Sequence, residues 1–228
     1  IVNLLKQKMG YKLVVLTNDA DAVALGELLY GGARQMKDFI EIIIRFGLGA
    51  GIIVNRHVMQ GRSGIAGEIG HTKVYGAKRK CGCGKTGCLE TLVSELGIMR
   101  NLIELSGGNA DELSVIETDN KQDADISETL ELVHLKNPKA IEAFRISGKF
   151  LGYALANLYN LFDPEAFFIQ GKALQAGEAF TNPLKEEFSK TASFKTKPFE
   201  DMVKVSSLPI ETANMLGASA IIWKELGY

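Results

Sequence analysis

Gly67-Glu68-Ile69-Gly70-His71, followed by Cys81-Gly82-Cys83-Gly84-Lys85-Thr86-Gly87-Cys88-Leu89-Glu90, is the stretch from which the rest of the chain is read. All three cysteines and one histidine fall within eighteen residues, flanked by two glutamates. Three thiolates and an imidazole form a closed tetrahedral donor set for zinc, with no position left for water or substrate. His71, Cys81, Cys83 and Cys88 are therefore expected to hold a structural zinc. The bland alternative is three buried or redox-paired cysteines beside an ordinary histidine. An odd cysteine count and no sign of secretion argue against a disulfide. Glycines after the first two cysteines and before the third let a short loop wrap one ion. Glu68 and Glu90 would be tied to that rigid loop, well placed to grip a polar ligand.

Working outward, composition bounds the rest. The 228 residues are 46% hydrophobic and 23% charged, enough for a real core, and length alone does not decide between one domain and two. A formal net charge of −1 gives no electrostatic footprint for nucleic acid or an anionic membrane. Apolar runs are too short for a spanning helix and no signal peptide is visible, so a cytoplasmic location is expected.

The elements alternate. Lys12–Leu16 reads as a short buried strand and Ala20–Tyr30 as a helix capped by Asn18 or Asp19. Phe39–Phe46 and Gly51–Asn55 are β-branched runs separated by glycines, hence an antiparallel hairpin. Leu89–Leu105 has helical periodicity. Ser106–Asp125, rich in Asp, Asn and Gly, reads as a partly mobile surface excursion. Pro138–Leu161 is a long helix whose Gly148, Gly152 and Ala156 suggest close packing against a sheet. Ala166–Gln170 and Val203–Ser206 follow as strands, Ala176–Lys190 and Glu211–Leu226 as helices. Together these predict a five-stranded mixed sheet with helices on its faces. Lys78-Arg79-Lys80 reads as a solvated face, His57 and His134 as surface residues, and Trp223 as core.

Thr17-Asn18-Asp19-Ala20-Asp21-Ala22, Gly47-Leu48-Gly49-Ala50-Gly51, the Gly67–His71 segment, the cysteine loop and Leu216-Gly217-Ala218-Ser219-Ala220 together resemble the ROK family of sugar kinases and sugar-responsive repressors. Gly26 to Ile40 is similar to the glucokinases among them. The resemblance spans nearly the whole chain. It implies an actin-like, ribonuclease-H-like α/β fold of two lobes, with sugar and nucleotide in the cleft between them. The Asp-Gly-Gly-Thr phosphate loop of such kinases does not occur here. Residues 1–228 therefore read as the C-terminal lobe, with 67–90 as its zinc and sugar segment, the N-terminal lobe missing, and any helix-turn-helix upstream.

For site residues, the resemblance implies Asp19 as catalytic base and sugar ligand beside Asn18, with Glu68, His71 and Glu90 on sugar hydroxyls. His71 would serve both zinc and sugar. Asn-Asp before an apolar run is equally the mark of a plain helix cap. Gly47, Gly49, Gly51 and Gly171 match the nucleotide side, where the sequence also departs from the pattern. Arg45 and Phe46 replace a Gly-Thr pair, and Lys172 replaces a glycine. Two function classes follow. One is an ATP- and magnesium-dependent kinase of a hexose, such as glucose or an N-acetylhexosamine. The other is a sugar-sensing repressor lobe that needs no ATP chemistry. A homo-oligomer stays open.

Overall fold

The computed structural model describes residues 1–110, 113, 125–193 and 197–225, with side chains of the last helix described as far as 222. Five strands form one mixed sheet: β1 (Phe39–Ile44), β2 (Leu48–Val54), β3 (His57–Val58), β4 (Ala166–Gln170) and β5 (Val203–Val205), in the order β3-β2-β1-β4-β5. β1 and β2 make the expected antiparallel hairpin, with Ile44 opposite Leu48. β4 runs parallel to β1, and β5 parallel to β4. The fifth place belongs to the short β3.

Lys12–Leu16 is a correction. It forms no strand, and Leu13 and Leu16 stay exposed. An apolar run becomes a strand only where a neighbour supplies ladder hydrogen bonds, and among the described residues none does so here. An unpredicted helix, α1 (Val2–Met9), precedes it and ends at Gly10 in the left-handed region, φ 68°.

Helices cover both faces of the sheet. On one side Ile40, Ile42, Ile44, Phe167 and Ile169 meet α6 (Pro138–Phe162) and α7 (Glu178–Thr191) through Leu151, Leu155, Phe180 and Phe188. Each such buried side chain contributes about 1.5–3 kcal/mol. Gly148 and Gly152 of α6 do not pack on the sheet as expected. A Cβ there would stand 2.2 Å from Phe180 O and 2.4 Å from Leu184 O, so the small residues admit the neighbouring helix α7. On the other side lie α2 (Asp19–Tyr30) and α9 (Ile210–Glu225), which pack closely against each other.

The helix expected over Leu89–Leu105 breaks in two, α3 (Glu90–Val93) and α4 (Glu95–Leu105). Ser94 adopts ψ 167° and its Oγ accepts from Gly97 N at 3.0 Å, starting α4 afresh. The Leu92 carbonyl freed by the break accepts from Ser147 Oγ at 2.7 Å and from Asn101 Nδ2 at 3.1 Å. The α5 helix (Ser127–His134) was not foreseen. Most of the predicted surface excursion, residues 111, 112 and 114–124, lies outside the described residues, as does the Trp223 side chain. His57 and His134 are exposed, as expected, and α8 (Phe199–Met202) leads into β5.

β1 is buried along its whole length, yet its third residue is Glu41. Neither Glu41 carboxyl oxygen has a close hydrogen-bond partner. Burial pushes this carboxyl well above its usual value of 4.5, the buried Glu27 adds to the rise, and Gln170 eases it only in part. A folded-state pKa raised above the unfolded one favours folding below pH 4.5, and stability falls as pH climbs from there toward the raised value. Glu41→Gln, which removes the charge at constant shape, is expected to raise the melting temperature more at pH 8 than at pH 4.5. The gain should be about 2–4 °C per kcal/mol recovered. Equal shifts at both pH values would show that Glu41 is not held in a charge-disfavouring site.

Candidate functional site

The first turn of α2 carries the residues singled out for chemistry. Asn18, in an extended conformation, is the N-cap, and its Oδ1 accepts from Ala20 N at 2.8 Å. With capping done by Asn18, Asp19 is the first helical residue. Its Oδ1 also meets Ala20 N, at 2.9 Å. The cap of the Asn-Asp pair is therefore Asn18.

The Gly67–His71 segment folds onto the edge of β2. Ala50 N donates to Gly67 O at 3.0 Å. Gly67 has φ 88°, and a Cβ there would fall 2.1 Å from Ala50 O, so only glycine admits this contact. Glu68 then reaches Asn18, whose Nδ2 donates to its Oε1 at 3.4 Å. Glu90, opening α3, comes from the other side, and its Oε2 accepts from Leu48 N at 3.1 Å. Asn18, Asp19, Glu68 and Glu90 line one polar pocket of about 190 Å³ with Gly47, Gly49 and Gly67. His71 sits just outside it, its Nε2 3.9 Å from Glu68 Oε2.

A larger cleft of about 830 Å³ adjoins this pocket, lined by Phe46, Glu95, Gln170, Gly171, Lys172, Ser206 and Glu211 among others. Asp19, Arg45 and Gly47 belong to both. Of the four glycines matched to the nucleotide side, Gly47 and Gly171 line the cleft and Gly49 the small pocket. Gly51 lies elsewhere, under α2, where a Cβ would meet Ala20 O at 2.3 Å.

The cysteine loop gathers all four predicted ligands. The ligand atoms of His71, Cys81, Cys83 and Cys88 lie within 4.8 Å of one another. Cys83 Sγ and Cys88 Sγ are 3.7 Å apart, as are Cys81 Sγ and His71 Nδ1. A metal–sulfur bond of about 2.3 Å in a tetrahedron sets sulfurs roughly 3.8 Å apart, so the donor set fits zinc. Cys81 Sγ also lies 3.4 Å from Glu90 Oε1, joining loop and pocket. Arg79 is a correction to the solvated reading of Lys78-Arg79-Lys80. Its side chain is largely buried, forks onto Glu104 at 2.9 and 2.6 Å, and donates to Thr91 O at 2.7 Å. Other residues of the cleft, Glu95, Asp125, Ser206 and Glu211, were missed because they come from separate segments with no shared motif.

The ROK family model matches residues 1–225. The chain belongs to the ROK family. It is 33% identical over 176 residues to a glucokinase of Halalkalibacterium halodurans, covering 77% of this chain and 53% of that protein. It is 30% identical to a xylose repressor of Caldicellulosiruptor bescii, covering 98% of this chain and 55% of that one. Among solved structures, a ROK glucokinase from Streptomyces griseus in complex with glucose and AMPPNP superposes with a TM-score of 0.77 at 28% identity. That match covers 96% of this chain and 71% of the glucokinase. This ROK chain spans about half the length of the curated relatives it matches. Among the described residues, no helix is long and apolar enough to cross a membrane.

The contact of Gly51 with α2 can be tested against its neighbour. Gly51→Ala is expected to cost about 1–3 kcal/mol, as overpacking does, and to move the backbone amide resonances of Asn18 and Asp19. Gly49→Ala, whose Cβ would sit at an ordinary 3.5 Å from Ala20 Cβ, should leave melting temperature and those resonances near wild type. Equal tolerance of both substitutions would mean that β2 does not set the position of α2.

Proposed function

We propose that this chain is the C-terminal, sugar-binding lobe of a ROK hexose kinase, in which Asp19 serves as catalytic base. The observation that carries this reading is the place of Asp19, at the junction of the small polar pocket and the larger cleft. A base for phosphoryl transfer must touch the accepting hydroxyl while facing the donor phosphate. Asn18, Glu68, Glu90 and His71 would hold the hydroxyls of a hexose or N-acetylhexosamine, with Gly47, Gly49 and Gly171 on the side of Mg-ATP. A sugar hydroxyl oxygen then bonds to the γ-phosphorus and the bond from that phosphorus to the β-bridging oxygen breaks. ADP leaves with the electron pair, and the hydroxyl proton passes to the Asp19 carboxylate. Zinc on His71, Cys81, Cys83 and Cys88 would supply a structural crosslink that keeps Glu68 and Glu90 in register. The missing N-terminal lobe would bring the other phosphate-binding loop, and the whole would work in the cytoplasm.

One observation favours a second reading. Arg45, on the nucleotide side, is paired with Glu211 at 3.6 Å, and Phe46 stands beside it in the cleft. A sugar-sensing repressor lobe would keep the small pocket and the metal loop and tolerate such a cleft. Kinetics and binding separate the two. In the full-length protein, Asp19→Asn is expected to abolish hexose phosphorylation while leaving sugar affinity within a few-fold, whereas Glu68→Ala or Glu90→Ala should weaken sugar binding by about 1–3 kcal/mol. Wild-type turnover in Asp19→Asn would reduce Asp19 to a helix residue. Sugar binding without any wild-type turnover would select the repressor reading.

The metal has its own test. Elemental analysis of protein purified without added zinc is expected to give about one equivalent per chain. Cys88→Ala should lower melting temperature and sugar affinity together, because metal binding contributes to folding. A metal-free wild type with undiminished stability and sugar affinity would rule the zinc out.

A further inference from the structure

Five charged side chains of alternating sign cross the larger cleft. Arg45 Nη2, in the turn between β1 and β2, lies 3.6 Å from Glu211 Oε1 in the first turn of α9. Lys172 Nζ, just after β4, lies 2.8 Å from Asp125 Oδ1, just before α5. Between the two pairs sits Glu95, buried at 8% exposure at the start of α4, with its backbone N–H on Arg45 O at 2.8 Å. Lys172 and Arg45 both draw on the Glu95 carboxyl, and Asp125 repels it. Lys172 and Arg45 are near enough to repel each other. The row therefore reads Glu211, Arg45, Glu95, Lys172, Asp125, with every member lining one cleft.

The members are unequal. Glu95 is buried and cannot leave. Both outer pairs are about half exposed or more, with side-chain exposures of 58% and 70% for Arg45 and Glu211, and 46% and 51% for Lys172 and Asp125. Exposed pairs of this kind are worth about 0–1 kcal/mol, so they exchange partners readily. A phosphate chain offers a guanidinium two oxygens at once and an ammonium a denser charge than one carboxylate does. It also meets four carboxylates there, Asp19, Glu95, Asp125 and Glu211, and those must be screened or moved aside.

We propose that Arg45 and Lys172 form a phosphate-chain site that Glu211 and Asp125 hold shut, so that an oligophosphate binds only by displacing both carboxylates. This rests on reading the larger cleft as the nucleotide side, but it requires neither sugar nor turnover. The shared chemistry is a linear oligophosphate, free or carried on a nucleoside. It accounts for two residues that depart from the family pattern, Arg45 and Lys172, by giving each a ligand and a competitor.

The test is calorimetric titration of the protein, without sugar, with inorganic tripolyphosphate and separately with a non-hydrolysable ATP analogue. Glu211→Gln and Asp125→Asn are each expected to raise affinity about 2–5-fold, the exchange value of an exposed pair, and the double variant by about their product. Asp125→Asn keeps a side-chain oxygen for the Ser127 N–H, which bonds Asp125 Oδ1 at 3.0 Å, and unchanged melting temperatures check folding. Arg45→Ala and Lys172→Ala should each lower affinity tenfold or more. A gain for both ligands supports a nucleotide source, and a gain for tripolyphosphate alone an inorganic one. A gain for the analogue with tripolyphosphate inert would overturn the proposal, since recognition would then lie in the nucleoside. Unchanged affinity in the carboxylate variants, or no binding even in the double variant, would overturn it as well. Neither of those results would bear on Asp19 or the sugar pocket, whose failure shows in sugar titrations instead.

Discussion

The site depends on one backbone contact, the approach of β2 to the first turn of α2 at Gly51 and Ala20. A methyl group at residue 51 would occupy the space of the Ala20 carbonyl. Because no side chain intervenes, the helix start is set by the strand, and Asn18 and Asp19 cannot drift from the sheet. The other walls of the small pocket are tied to the same strand, Gly67 through Ala50 N and Glu90 through Leu48 N. Three sequence-distant segments are thus referenced to β2 over four residues. The acidic groups gathered here each accept from an amide, Asp19 from Ala20 N, Glu90 from Leu48 N and Glu68 from the side chain of Asn18.

The two lines of descent seen among the relatives, kinase and repressor, map onto different parts of this geometry. On the reading proposed above, both would use the β2-anchored pocket, since binding a neutral polyol asks only for well-placed acceptors. They would diverge in the larger cleft, where a kinase must stabilise a highly charged donor and a sensor need not. This chain keeps its small pocket compact and polar but fills the adjoining cleft with mutually satisfied charges.

Much of this was legible in the sequence, because the informative elements are local. The β-branched runs of β1 and β2 and the apolar run of β4 are buried along nearly their whole length and read as strands. The four metal-ligand candidates cluster within one loop. Lys12–Leu16 misled because strand formation needs a partner and composition does not report one. Ser94 hid a helix break because its hydroxyl serves as a cap only when Asn101 and Ser147, from α4 and α6, satisfy the carbonyl left behind. Arg79 looked solvated for the same reason, since its acceptors Glu104 and Thr91 lie on α4 and α3. The charged row of the cleft draws on five segments, and no window of sequence contains it.

Arg79 has a bearing on how the cysteine loop comes apart. Its guanidinium holds the Glu104 carboxyl below its ordinary value and ties the loop to α4 and α3. The loop is therefore fastened twice, at its tip where His71 and the three cysteines cluster and at its root by the Arg79 fork on Glu104. Losing the first fastening frees the turn around Cys83 while the root stays docked on α4. Local opening would then be graded, with amides near Gly84 exchanging with solvent long before those near Arg79. A lysine in place of Arg79 could not reproduce the planar fork and would merge the two events into one.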